Sequence, residues 1–244
     1  MLPEIAPEEF AGCLDELVTE VLDEAGVTAP PVDAFEVARS LGLVIATDDR
    51  QSGRARFVRL SGYRRGSSHG SILLKPDPRT ERQQWAVAHE IGEHLSQRLF
   101  AALGVEPWEA PEGAREQTAN HLAGRLLLPS RWFAEAGKRL EWELPGLKQQ
   151  FCTASHELIA RRMLELPPPI IVSVIDQGRV TWRRSNVPGS VPVATLLEEE
   201  CRQQAHLLGE PQWGTEGPNF IQVWPVHEAS WKREIVRVTL GEEW

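Results

Sequence analysis

Between Phe10 and Ala25 the apolar residues Leu14, Leu17, Val18, Val21 and Leu22 recur three or four positions apart, which predicts an amphipathic helix, and Gly26 supplies its stop. After a turn at Ala29-Pro30-Pro31, the stretch from Val32 to Leu41 predicts a second short helix with Asp33 near its start, and Leu43 to Ala46 a short strand. Gly53 and the segment from Gly62 to Gly70, with Ser67 and Ser68 inside it, break the pattern into hairpin or loop. Ser71 to Lys75 predicts a strand closed by Pro76 and Pro78. Thr80 to Phe100 lacks proline and can line Trp85, Ala88, Gly92, Leu95 and Leu99 along one helical side. Its interior Gly92 costs about 1 kcal/mol relative to alanine, so it calls for a packing or backbone reason. A loop over 107–114 precedes a helix from Arg115 to Leu128, which Pro129 ends. Shorter helical stretches follow at Arg131 to Lys138 and Ser155 to Leu164.

At Pro167-Pro168-Pro169 the pattern changes. Two alternating segments, Ile170 to Ile175 and Val180 to Arg184, precede a Glu-rich helix from Val193 to Leu208. Two more strands follow at Phe220 to Val226 and Arg233 to Leu240. The expectation is therefore an α+β chain of two domains, residues 1–165 and a small α+β unit at 166–244, with no internal repeat.

Composition narrows the function. A net charge of −9 and a pI near 5.4 oppose broad phosphate-backbone binding, so nucleic acid is not an expected partner. Arg54, Arg56, Arg59, Arg64 and Arg65 form a basic stretch that reads as solvated surface. Arg161 and Arg162, expected to point outward after Ser155-His156-Glu157, fit a packing helix better than a DNA-reading one. Cys13, Cys152 and Cys201 are odd in number and far apart, which argues against a disulfide framework and favours a reducing compartment. With an acidic N-terminus and no membrane-length apolar run, the expected location is the cytoplasm. Core packing accounts for most of the nine tryptophans, with an aromatic partner- or ligand-binding face in the C-terminal third, at Trp182, Trp224, Trp231 and Trp244, as the alternative.

The chemistry centres on His89-Glu90-Ile91-Gly92-Glu93-His94. Residues four apart lie within about 40° of each other around a helix, so both can face one ion, and the carboxylate beside the first ligand can reach the water that the ion polarises. In this chain Glu93 holds the position four after His89, and a histidine follows one residue later. Two arrangements remain open. In one, His94 joins His89 through a π-bulge that Gly92 permits, because on a regular helix the two diverge by about 140°. In the other, a regular helix offers His89 and Glu93, a set acceptable to zinc and more welcoming to harder divalent ions. Asn120, four residues after Glu116, is placed to hydrogen-bond a ligand, and His121 beside it reads as packing or solvent-facing. Tyr63 and His69, in the preceding loop, are assigned no part.

The run RQQWAVAHEIGEHL, followed by Glu-x-x-Ala-Asn at 116–120 and by Leu126-Leu127-Leu128-Pro129, resembles the ImmA/IrrE metallopeptidases over about residues 14–165. That resemblance implies a zincin-like domain holding one zinc ion. It makes His89 a ligand, Glu90 the general base and Glu116 the third ligand. It also implies a regulatory protein substrate, a repressor or antitoxin, in stress or mobile-element regulation. An extended substrate could add to the Ile72 to Leu74 strand if that strand forms a sheet edge. The rivals are a peptidase-shaped module that binds a regulator without cutting it, and a DNA-binding regulator built on 150–165.

Overall fold

The computed structural model describes residues 5–61, 68–106, 110 and 113–241. Tyr63, Arg64, Arg65, Trp244, most of the 107–114 loop and the side chains of Arg59 and His69 lie outside the described parts. The chain divides into two compact units, 1–155 and 156–244.

In the first unit, α1 (Pro7–Glu24) buries the five-residue stripe Leu14, Leu17, Val18, Val21 and Leu22. Asp33 caps α2 (Ala34–Ser40) by accepting the Phe35 N–H at 2.8 Å. β1 (Val44–Thr47), β2 (Ala55–Ser61) and β3 (Ser68–Leu74) form a sheet in the order β1-β3-β2, with β1 parallel and β2 antiparallel to β3. The strand proposed from sequence as a docking edge is thus the centre of its sheet, and β2 is the edge nearest the chemistry. α3 (Thr80–Ala102), α4 (Ala114–Leu127), α5 (Ser130–Arg139) and α6 (Leu144–Gln150) complete the unit. The sequence pattern predicts no element at α6, whose Pro145 and Gly146 near its start interrupt a helical pattern.

Two buried polar contacts set the helices that matter. Gln84 on α3 accepts the Ala34 N–H at 2.8 Å and donates to the Asp33 carboxylate at 3.1 Å, fixing α3 to the start of α2. Arg125 on α4 donates to Asp15 of α1 at 3.1 Å.

α3 is α-helical from end to end, so the π-bulge considered for His94 does not occur. Gly92 has a different reason. A Cβ there would lie 2.6 Å from the Ala119 carbonyl oxygen and 2.9 Å from its Cα, so the glycine admits the backbone of α4.

The second unit holds α7 (His156–Met163) and five strands: β4 (Ile170–Asp176), β5 (Arg179–Ser185), β6 (Gln212–Glu216), β7 (Asn219–Glu228) and β8 (Trp231–Thr239). α8 (Leu196–Leu208) runs between β5 and β6. The strands pair antiparallel in the order β5-β4-β8-β7-β6. The boundary at Ser155 precedes the expected Glu165, because α7 packs on β4 and β8. Arg161 stacks over Trp182 at 4.6 Å, and Arg162 is buried and bonded to Glu165 at 2.9 Å rather than pointing outward. β6, an edge strand of sequence Gln-Trp-Gly-Thr-Glu, lacks the apolar alternation that revealed the others.

Gly92→Ala is expected to destabilise the protein by about 1–3 kcal/mol through overpacking, despite the roughly 1 kcal/mol that alanine would add to an unpacked helix. Urea unfolding of the two proteins measures it, and an unchanged or raised midpoint would contradict the close helix approach.

Candidate metal centre

α3 and α4 meet at Gly92 and Ala119, and the residues three before and one after these two face a shared space. His89 and Glu93 enter from α3 and Glu116 from α4, and one donor atom of each lies within 4.8 Å of the others. His89 Nε2 stands 3.5 Å from Glu116 Oε2. Donors held at about 2.0–2.2 Å by a tetrahedral ion sit roughly 3.3–3.6 Å apart, so this pair has the spacing that zinc ligation asks for. An imidazole and two carboxylates also match the ion's chemistry.

The Asn120 amide ties the two helices' donors together. Its Nδ2 donates to Glu116 Oε1 at 3.3 Å, which turns its Oδ1 toward His89 Nδ1 at 3.2 Å. Because Oδ1 can only accept, Nδ1 carries the proton and Nε2 keeps its lone pair on the Glu116 side.

His94 lies elsewhere. Its ring is tilted 40° against Phe57 with centroids 5.4 Å apart, and it is not a member of the donor cluster. The cause is the regular helix, which carries residue 94 about 140° around from residue 89. Glu93 takes the inward place. His121 packs its ring edge-on against Phe10 at 6.0 Å.

Glu90 is buried on α3 beside the cluster. Burial pushes its carboxyl above the ordinary range, with Glu93 and Glu116 adding to the rise; the neighbouring His89 and a hydrogen bond from the Phe57 N–H oppose it. Phe57 can give that bond because Arg54 and the even-numbered residues of β2 pair with β3, as the Lys75 N–H to Arg54 carbonyl bond of 2.8 Å shows. The odd-numbered residues therefore direct their backbone groups outward. A groove of about 250 Å³ opens here, lined by Arg54, Ala55, Trp85, His89, Glu90 and Glu116 among others.

Residues 38–163 match a family model described as the IrrE N-terminal-like domain of a peptidase family, more than half of the 244 residues. The chain belongs to this family. The IrrE N-terminal-like match spans α3 and α4 and ends within α7, and the first unit has the α+β, zincin-like fold of that family. A solved structure named Mycobacterium tuberculosis transcriptional regulator matches with a TM-score of 0.64 at 19% identity, covering 93% of this chain and 75% of that one. At that identity the likeness concerns the fold alone. A search among curated proteins finds no match. Among the described residues, no helix is long and apolar enough to cross a membrane.

Sequence reasoning missed Arg115, whose Nε donates to Glu93 Oε2 at 2.6 Å. Its place next to Glu116 gave no signal, since an exposed arginine is satisfied by water and needs no partner. The Phe57 N–H was not legible, because a backbone donor leaves no trace in residue identity.

A raised folded-state pKa makes stability greatest below the unfolded value and diminishes it as pH rises through the folded value. In chelator-treated protein, the Glu90 contribution to stability should therefore fall as pH rises from about 4, so that Glu90→Gln gains stability relative to wild type as pH rises to neutrality. Thermal unfolding across pH checks this; identical profiles would show that Glu90 is not held in a desolvated site.

Proposed function

We propose that the protein is a zinc-dependent endopeptidase, with the ion held by His89, Glu93 and Glu116 and with Glu90 as general base. The observation that carries the reading is the convergence of one imidazole and two carboxylates from α3 and α4 beside a buried carboxyl of raised pKa. A zinc ion at that place supplies a Lewis acid for the scissile carbonyl and brings the pKa of water down to about 7. The set would also accept another divalent ion.

The chain's own groups then have defined tasks. Glu90, with an affinity for protons raised by burial, takes the proton of the attacking water and passes it to the leaving amine. The Phe57 N–H keeps one Glu90 oxygen in place during both transfers. Asn120 holds the His89 tautomer and the Glu116 carboxylate together. The outer edge of β2 offers backbone groups to an extended chain lying in the groove, with Arg54 and Trp85 along it. The proposed substrate is a cytoplasmic regulatory protein, a repressor or antitoxin, consistent with membership of the IrrE N-terminal-like family.

One observation favours a rival. Arg115 holds Glu93 at 2.6 Å and competes with an ion for that carboxylate, as expected of a module that binds a regulator without cutting it. Only one Glu93 oxygen accepts from Arg115 Nε in this pair, which leaves the other for ligation.

Glu116→Ala should lower bound zinc by one equivalent relative to wild type. Glu90→Gln should retain zinc while lowering peptide cleavage about 10²–10⁴-fold. Metal analysis with a cleavage assay separates the readings, and zinc content indifferent to Glu116 would dismiss the proposed centre. Asn120→Ala should weaken zinc affinity about 10–100-fold, read by competition with a chromogenic chelator.

A further inference from the structure

The second unit gathers His206 from α8, His227 from β7 and Glu234 from β8, with one donor atom of each within 4.8 Å of the others. The hairpin supplies two of the three residues. Glu234 pairs with Pro225, so His227, two residues beyond, is its diagonal neighbour on the same sheet face. α8 packs over that face and brings His206.

The carboxylate of Glu234 is fully buried, and its Oε1 receives both His206 Nδ1 and His227 Nε2 at 2.8 Å. Its Oε2, also buried, has no hydrogen-bond partner. A buried carboxylate oxygen without a donor is costly, and the cost falls when a cation meets it. The two imidazoles stand edge to face with centroids 5.7 Å apart, so both rings can turn a nitrogen toward one point. Arg202 lies close enough to feel Glu234, but its guanidinium is occupied by both oxygens of Glu199. His206 also lines an open cavity of about 640 Å³ with Gln203 and Lys232, so solvent reaches the cluster on its His206 side.

We propose that His206, His227 and Glu234 form a second binding site, for a zinc-class divalent transition-metal ion, that clips α8 to the β7–β8 hairpin. Two imidazoles and one carboxylate with an open position suit this class of ion better than calcium or magnesium, which prefer all-oxygen shells. The inference is independent of the proposed peptidase centre, since it uses none of that centre's residues.

The test uses the full chain carrying His89→Ala and Glu116→Ala, stripped with a chelator and titrated with Co²⁺ and then Zn²⁺. One equivalent of Co²⁺ should bind with visible d–d absorption, Zn²⁺ should displace it, and Zn²⁺ should raise the thermal midpoint. Adding His227→Gln or, at the more exposed position, His206→Asn should abolish the band. The proposal is overturned if the doubly substituted chain takes up no ion, or if a folded His227→Gln or His206→Asn protein retains the equivalent. Should both further variants fail to fold, binding by the doubly substituted chain alone decides. Wild type that binds one ion and loses it with Glu116→Ala would uphold the peptidase centre and reject this site; the reverse pattern would do the opposite.

Discussion

Two helices can share an ion when their backbones come close enough for short side chains to meet, and α3 and α4 approach closely at Gly92 and Ala119. Gly92 lies against the Ala119 backbone where a methyl group would be 2.6 Å from a carbonyl oxygen. From that contact the rest follows by helical geometry. His89 lies three residues before Gly92 and Glu93 one after; Glu116 lies three before Ala119 and Asn120 one after. Each helix thus presents one residue on either side of the crossing. Gln84 at one end of α3 and Arg125 near the end of α4 hold the pair against α2 and α1, so the crossing is fixed by buried polar contacts as well as by shape.

Such a crossing concentrates negative charge. Glu90, Glu93 and Glu116 sit near one another, and the Glu90 carboxyl, raised first by burial, is raised further by the other two. One guanidinium, that of Arg115, faces Glu93. The balance favours a cation. Arg115 does not remove that preference, because it leaves two carboxylates in the site with one positive charge between them. A charge-rich pair of helices without an ion would repel across the very contact that Gly92 makes tight, so packing and ligation reinforce each other here.

Much of this was legible in the chain. Helical periodicity located α1, α3, α4 and α8, and the pairing of His89-Glu90 with Glu-x-x-Ala-Asn pointed to two helices forming one site before any fold was known. What escaped has physical causes. The purpose of Gly92 depends on its neighbour across the crossing, and sequence alone offered the bulge instead. α6 and β6 are short elements with Pro, Gly or polar composition, held by context rather than by intrinsic preference. The His206, His227 and Glu234 cluster joins a helix to a hairpin across 28 residues, and no local spacing announces a contact of that kind.

The one-residue displacement of the histidine then has a consequence on the opposite side of α3. Residue 94 is carried toward β2, where its ring packs on Phe57. Phe57 is itself confined, since its ring lies over Gly70, where a Cβ would come within 2.9 Å of Cε2. Held between His94 and Gly70, Phe57 has little freedom to move its backbone, and that backbone is what donates to Glu90. A histidine one position earlier would stand in the donor cluster in place of Glu93. In the proposed centre the chain uses a carboxylate as the second α3 ligand, while the His94 imidazole packs on the strand whose Phe57 N–H donates to Glu90.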